Sequence, residues 1–139
     1  MNTKHKGDLA EQAVIFKALS QGWEVLIPVG DRLPYDIVID TGGKLLKLQV
    51  KHAWFDKKSE NYVVDTRRTK TNRRVMRRVL YTAADFDFAV VYIHELNVFY
   101  VFPVNVFISY GSEIHLIEAV KRQRKPRSSD FREAWHLIS

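Results

Sequence analysis

Asp36, Gln49 and Lys51 stand among residues that ought to be packing. In "PYDIVIDTGGKLLKLQVK", residues 34 to 51, two β-branched and aliphatic runs meet at a glycine turn and read as a hairpin. Side chains alternate across a sheet, so the apolar pattern fixes the register. Tyr35, Ile37 and Ile39 form one apolar set and Leu46, Leu48 and Val50 the other. Bringing both sets to one face pairs Ile39 with Leu46 and Ile37 with Leu48, and leaves Thr41 to Lys44 as the turn. Asp36 then lies opposite Gln49, with Lys51 one step further along the same face. An acid, an amide and an amine thus come within cross-strand reach. Side chains of these types bind charge and move protons. A plainer account also stands, in which this is the wet face of a two-sided hairpin and Asp36 and Lys51 pair loosely in solvent.

Glu11 adds to the group. From Asp8 to about Gln21 the sequence predicts a helix that is apolar nearly all round, with Leu9, Ala10, Ala13, Val14, Ile15, Phe16, Ala18 and Leu19, and is therefore expected to be well packed. Glu11 shares a stripe with Val14, Ile15 and Ala18, where an ionised carboxylate costs several kcal/mol unless something positive is near. Its other reading is local: Asp8 and Glu11 have the spacing of a capping box, with Asp8 as N-cap.

The remaining elements must position these four residues. Gly22 stops the helix, and "WEVLIPV", residues 23 to 29, alternates as a strand. The second hairpin strand runs to about Trp54. "NYVVD", residues 61 to 65, is a short strand. "FDFAVVYI" and "VFYVFPV", residues 86 to 93 and 98 to 104, are two more joined by "HELN", and Pro103 predicts that the second ends there or lies at an edge. Ser129 or Asp130 is expected to cap a final helix with Phe131, Ala134, Trp135 and Ile138 on one side. The order predicts a mixed α/β or α+β domain. The length of 139 residues suits a single domain.

Charge narrows the partner. The formal net charge is +6, and 12 of the 22 Lys and Arg fall in two segments, seven in residues 66 to 84 and five in residues 121 to 127. Such clusters are the footprint of a polyanion, because each phosphate neutralised releases counterions. A solvated basic face or an anionic membrane surface is the alternative. No apolar run approaches the roughly 20 residues that span a bilayer. No cysteine is present, which excludes disulfides and thiolate metal sites. With no secretory signature at the N-terminus, a cytoplasmic location is expected. The five histidines share no ligand spacing and read as incidental.

A glutamate in a first helix, then "PYD", then a hairpin ending in "QVK" resembles the PD-(D/E)XK nuclease superfamily. More narrowly, "GDLAEQAVI", "GDRLPYDIVID" and "LLKLQVKHA" are similar to the bacterial homing endonucleases of this fold encoded in group I introns. Pro34 and Asp36 stand where the motif has its proline and first acid, with Tyr35 inserted, and Gln49-Val50-Lys51 stands for (D/E)-X-K. The departure is Gln49, neutral where the motif has an acid; the homing enzymes it resembles also carry Gln there.

The resemblance implies a central mixed β-sheet flanked by helices and a Mg²⁺- or Mn²⁺-dependent endodeoxyribonuclease acting on double-stranded DNA. It gives the metal to Asp36, Glu11 and the Val50 backbone carbonyl. Lys51 would act on the attacking water and the developing charge, and Gln49 would position water or metal. Products would carry a 5′ phosphate and a 3′ hydroxyl. A homo-oligomer is implied, a tetramer by the resemblance, with a dimer as the simplest symmetric solution. Arg67, Arg68, Lys70, Arg73, Arg74, Arg77 and Arg78 are the expected DNA contacts, divided between phosphates and guanine edges. A junction-resolving nuclease, a catalytically silent DNA-binding module and an RNA-binding protein are the competing readings.

Overall fold

The computed structural model describes residues 1–71, 76–119 and 125–138, with backbone only for 69–71 and 76–78. Helix α1 spans Thr3–Ser20. Among the described residues ten strands follow: β1 (Glu24–Leu26), β2 (Ile37–Asp40), β3 (Leu45–His52), β4 (Trp54–Asp56), β5 (Asn61–Asp65), β6 (Arg67–Thr71), β7 (Met76–Leu80), β8 (Phe88–Ile93), β9 (Val98–Pro103) and, after the short helix α2 (Val104–Ile108), β10 (Glu113–Leu116). No described helix is long and apolar enough to cross a membrane.

The main sheet has the order β1-β2-β3-β8-β9. Only β3 and β8 are parallel within it. A parallel pair needs a crossover. Here residues 53 to 87 supply one, carrying β4 and β5, which join β10 in a second sheet, and the two-stranded β6–β7 ribbon. The hairpin register is the expected one, with Ile37 opposite Leu48 and Ile39 opposite Leu46, but Tyr35, expected on their face, lies before β2 and packs in the opposite core instead. Residue alternation feeds two cores. Ile37, Ile39, Leu48, Val50, Val90 and Tyr92 pack on Ala10, Val14 and Ala18 of α1, whereas Ala89, Val91 and Ile93 face Ile114, Leu116 and Phe107. β9 lies at the sheet edge and ends at Pro103, as expected.

Several expectations are corrected. α1 starts a turn earlier than Asp8: Asn2 is its N-cap, accepting from the His5 N–H at 2.8 Å. Asp8 is therefore inside the helix and no capping box holds Glu11. Nor is α1 packed nearly all round, since it meets the sheet along one stripe and leaves Phe16 and Leu19 exposed. The first strand is only Glu24–Leu26, and Ile27 and Val29 are exposed beyond it. β3 ends at His52, and Trp54 begins a strand of the other sheet.

The final helix is replaced by two 3₁₀ turns, Arg127–Phe131 and Trp135–Leu137. The edge of β9 explains the change. Glu133, at φ 51°, donates its N–H to the Phe99 carbonyl at 2.8 Å and accepts the Phe99 N–H on its carboxylate at 3.0 Å. The tail thus covers an otherwise open strand edge. Ala134, Trp135 and Ile138 enter the α1 core, while Phe131 packs in the other.

Candidate functional site

The site lies just before β2 starts. Leu48 and Val50 turn their backbone groups toward β2, and β2 reaches only as far as Leu48: the Asp36 N–H donates to the Leu48 carbonyl at 2.9 Å. Val50, two residues on, has no strand partner on that side. The Asp36 carboxylate fills the gap, accepting the Val50 N–H at 2.8 Å. The Val50 carbonyl, on the same bare edge, accepts from the Gln49 side-chain amide at 3.3 Å. Gln49 is itself buried.

Through this opening the two faces of the sheet communicate. Glu11 arrives from the α1 layer and Lys51 from the opposite face. Together with Asp36, Gln49 and Val50 they line one cleft of about 830 Å³. The expected convergence of Glu11, Asp36, Gln49 and Lys51 is therefore present.

Electrostatics at the cleft are unfavourable to its acids. Burial pushes the Asp36 carboxyl above its usual range, against the Val50 N–H and Lys51, which act to lower it. Glu11 is also raised, first by burial and then by repulsion from Asp36 and Asp8. Among the described residues no positive neighbour offsets this at Glu11: burial acts first, and the charged groups that follow it are two acids. Two buried-edge carboxylates and a carbonyl are hard oxygen donors, the set that Mg²⁺ or Mn²⁺ accepts, and Mg²⁺ needs few carboxylates because it keeps several waters. A cation between them would relieve the repulsion that raises both groups. The donor set fits such an ion, though it is lean: among the described residues no group of three His, Cys, Asp or Glu side chains gathers for a metal.

Several lining residues were not singled out from sequence. Lys6, His52, Trp54, Asp65 and Glu113 share the cleft wall. His52, read as incidental, is lowered by burial first and then by the positive charges of Lys6 and Lys51. Its only sequence signal was adjacency to Lys51. The basic segment 66 to 84 carries the β6–β7 ribbon, whose register pairs Arg67 with Leu80, Arg68 with Val79, Thr69 with Arg78 and Lys70 with Arg77. Arg67 is engaged within the protein by Asp65, with contacts of 3.1 and 3.3 Å. Arg68 donates to the Arg32 carbonyl at 2.9 Å. Arg73 and Arg74, and residues 121 to 124 of the second basic segment, lie outside the described residues.

A family model described as PD-(D/E)XK endonuclease matches residues 1–138. Among solved structures, a bacterial homing endonuclease, I-Ssp6803I, is similar over 99% of this chain and 93% of its own, with 64% sequence identity and a TM-score of 0.92. No curated protein matches the chain.

Proposed function

The chain belongs to the PD-(D/E)XK endonuclease family, and on that premise we propose that it is a site-specific homing endonuclease, of the kind encoded in group I introns, cutting double-stranded DNA with Mg²⁺ or Mn²⁺. The observation that carries this reading is the meeting of Glu11, Asp36, the Val50 carbonyl and Lys51 in one cleft at the start of β2. The likeness to a homing endonuclease at 64% identity supports the narrower part.

Glu11, Asp36 and the Val50 carbonyl would hold the ion, which when bound supplies Lewis-acid charge relief on the phosphate and a nucleophile at neutral pH. Lys51 orients the attacking water and stabilises negative charge developing on the phosphate with its compact ammonium. Gln49 orders the strand end through the Val50 carbonyl and positions water or ion. The products carry a 5′ phosphate and a 3′ hydroxyl. Residues 1–139 act as one nuclease domain, and the basic ribbon docks on DNA. One such centre cuts one strand, so cutting both calls for a homo-oligomer, a dimer or tetramer. The reading places its action in the cytoplasm.

The test is cleavage of a panel of supercoiled genomic-fragment plasmids and branched DNAs, with Mg²⁺ and with EDTA. Double-strand cuts at a defined sequence, abolished by EDTA, are expected. Preference for branched DNA would replace the reading with junction resolution. Salt-sensitive binding with no cutting anywhere would make the protein a silent binding module.

Gln49→Glu probes the departure from the family motif. A third carboxylate beside two already raised acids is expected to destabilise the metal-free protein by about 1–3 kcal/mol. Mg²⁺ should recover that loss and reach half-maximal effect at lower concentration than in wild type. Thermal melts with and without Mg²⁺ read both changes; equal melts in EDTA would reject this account of Gln49.

A further inference from the structure

Lys51 is held by two groups that do not belong to its own sheet. Its ammonium donates to the Arg67 backbone carbonyl at 2.7 Å and lies 5.2 Å from the centre of the Tyr81 ring. Both holders mark the base of the basic ribbon. Arg67 opens β6, its partner Leu80 closes β7, and Tyr81 follows directly. The ring itself is well fixed: Tyr81 is only 5% exposed and meets Phe86 edge-on at 5.1 Å, with Phe107 at 6.5 Å.

A buried tyrosine in an aromatic cluster is ordinary core. What sets this one apart is the ammonium over its face. A ring face attracts a cation and gives it a preferred place without consuming an N–H donor. A flexible four-carbon stem needs such a seat if its end is to be held within a fraction of an ångström of its productive position beside a reacting phosphate. We infer that Tyr81, with the Arg67 carbonyl, is a positioning residue for Lys51, so that the base of the ribbon sets the place of the reacting ammonium. The inference rests on the nuclease reading and adds a consequence to it. The element that would grip DNA and the element that seats the lysine are one piece of chain.

The experiment uses the full-length protein and a plasmid bearing the site at which wild type cuts, mapped from the ends it makes in a genomic fragment library. Single-turnover rates at saturating DNA and dissociation constants are measured for wild type, Tyr81→Phe, Tyr81→Leu, Lys51→Met and the Tyr81→Leu/Lys51→Met double variant. Tyr81→Leu is expected to slow cleavage about 10- to 100-fold with little change in affinity. Tyr81→Phe keeps the ring and should stay within about threefold of wild type. In the Lys51→Met background, Tyr81→Leu should add less than about twofold, since both act through one group.

A second readout needs neither metal nor DNA. The ring current of residue 81 should move the NMR resonances of the Lys51 ε-methylene in wild type and Tyr81→Phe, and that displacement should vanish in Tyr81→Leu. A folded Tyr81→Leu protein cutting at the wild-type rate, or losing rate equally with and without Lys51, would overturn the inference. So would a Tyr81→Leu protein too unstable to assay, if Tyr81→Phe lacked the ring-current displacement. Wild type that binds DNA but cuts nothing would overturn the nuclease reading instead and remove the basis of this one.

Discussion

Asp36→Asn is expected to lower metal-dependent cleavage by about 10³-fold or more while leaving the fold intact. Two functions meet in this side chain, and the substitution separates them. As a structural group, Asp36 closes the bare end of β3 by accepting the Val50 N–H at 2.8 Å. Asparagine still offers an oxygen there, so the strand end keeps its cap. As a charged group, Asp36 is one of two carboxylates available to an ion beside the Val50 carbonyl, and asparagine removes half of that charge. The stability of the metal-free protein gives an independent check. Asp36 and Glu11 both lie above their ordinary values. Folding therefore takes up protons at these groups, and the stability they contribute is lost as pH rises through their raised range. Asp36→Asn removes one such group and relieves Glu11 of one of its two acidic neighbours. In EDTA the variant should melt no lower than wild type at pH 7.5, and any gain should shrink at pH 5. Cleavage retained above about a tenth of wild type would remove Asp36 from the centre.

Legibility of the site in the sequence followed the strength of local pattern. Period-two alternation in the hairpin admits one register, because a slip would expose Ile37, Ile39, Leu48 and Val50 together. That register carried Asp36, Gln49 and Lys51 to one place. Glu11 was legible as a charge in an apolar stripe, although sequence alone left its capping-box reading open until Asn2 proved to be the cap.

The ribbon was not legible as a ribbon. "TRRTKTNRRVMRRVL" has high charge and no apolar alternation, so nothing in it announces two paired strands. Tyr81 was hidden for the same reason, standing at the end of that segment before "TAAD", far in sequence from the lysine it contacts. The chain's end misled in the opposite way. Phe131, Ala134, Trp135 and Ile138 have helical spacing, yet the demand of the β9 edge for partners at Phe99 and Tyr100 outweighed it. Tertiary pairing decided that segment, and local periodicity does not register such a demand.

Lys51→Met is the second large effect expected, again about 10³-fold in single-turnover rate, with DNA affinity nearly unchanged. Methionine matches the length and apolar character of the lysine stem, so packing beside Tyr81 survives and only the ammonium is lost. The residue is one cation among the 22 Lys and Arg of the chain, and affinity summed over many phosphate contacts should hardly register it. Rate should register it fully, because its charge is placed at the cleft by the Arg67 carbonyl at 2.7 Å. Lys51→Arg is the sharper comparison. Arginine keeps the charge, but its planar fork is wider than the compact ammonium seated between that carbonyl and the Tyr81 ring. If charge alone mattered, Lys51→Arg would recover most of the rate. If place matters, as the two contacts at the ribbon base imply, it should recover less than about a tenth. Substantial loss of DNA affinity in Lys51→Met would instead make the residue a docking contact and take it out of the chemistry.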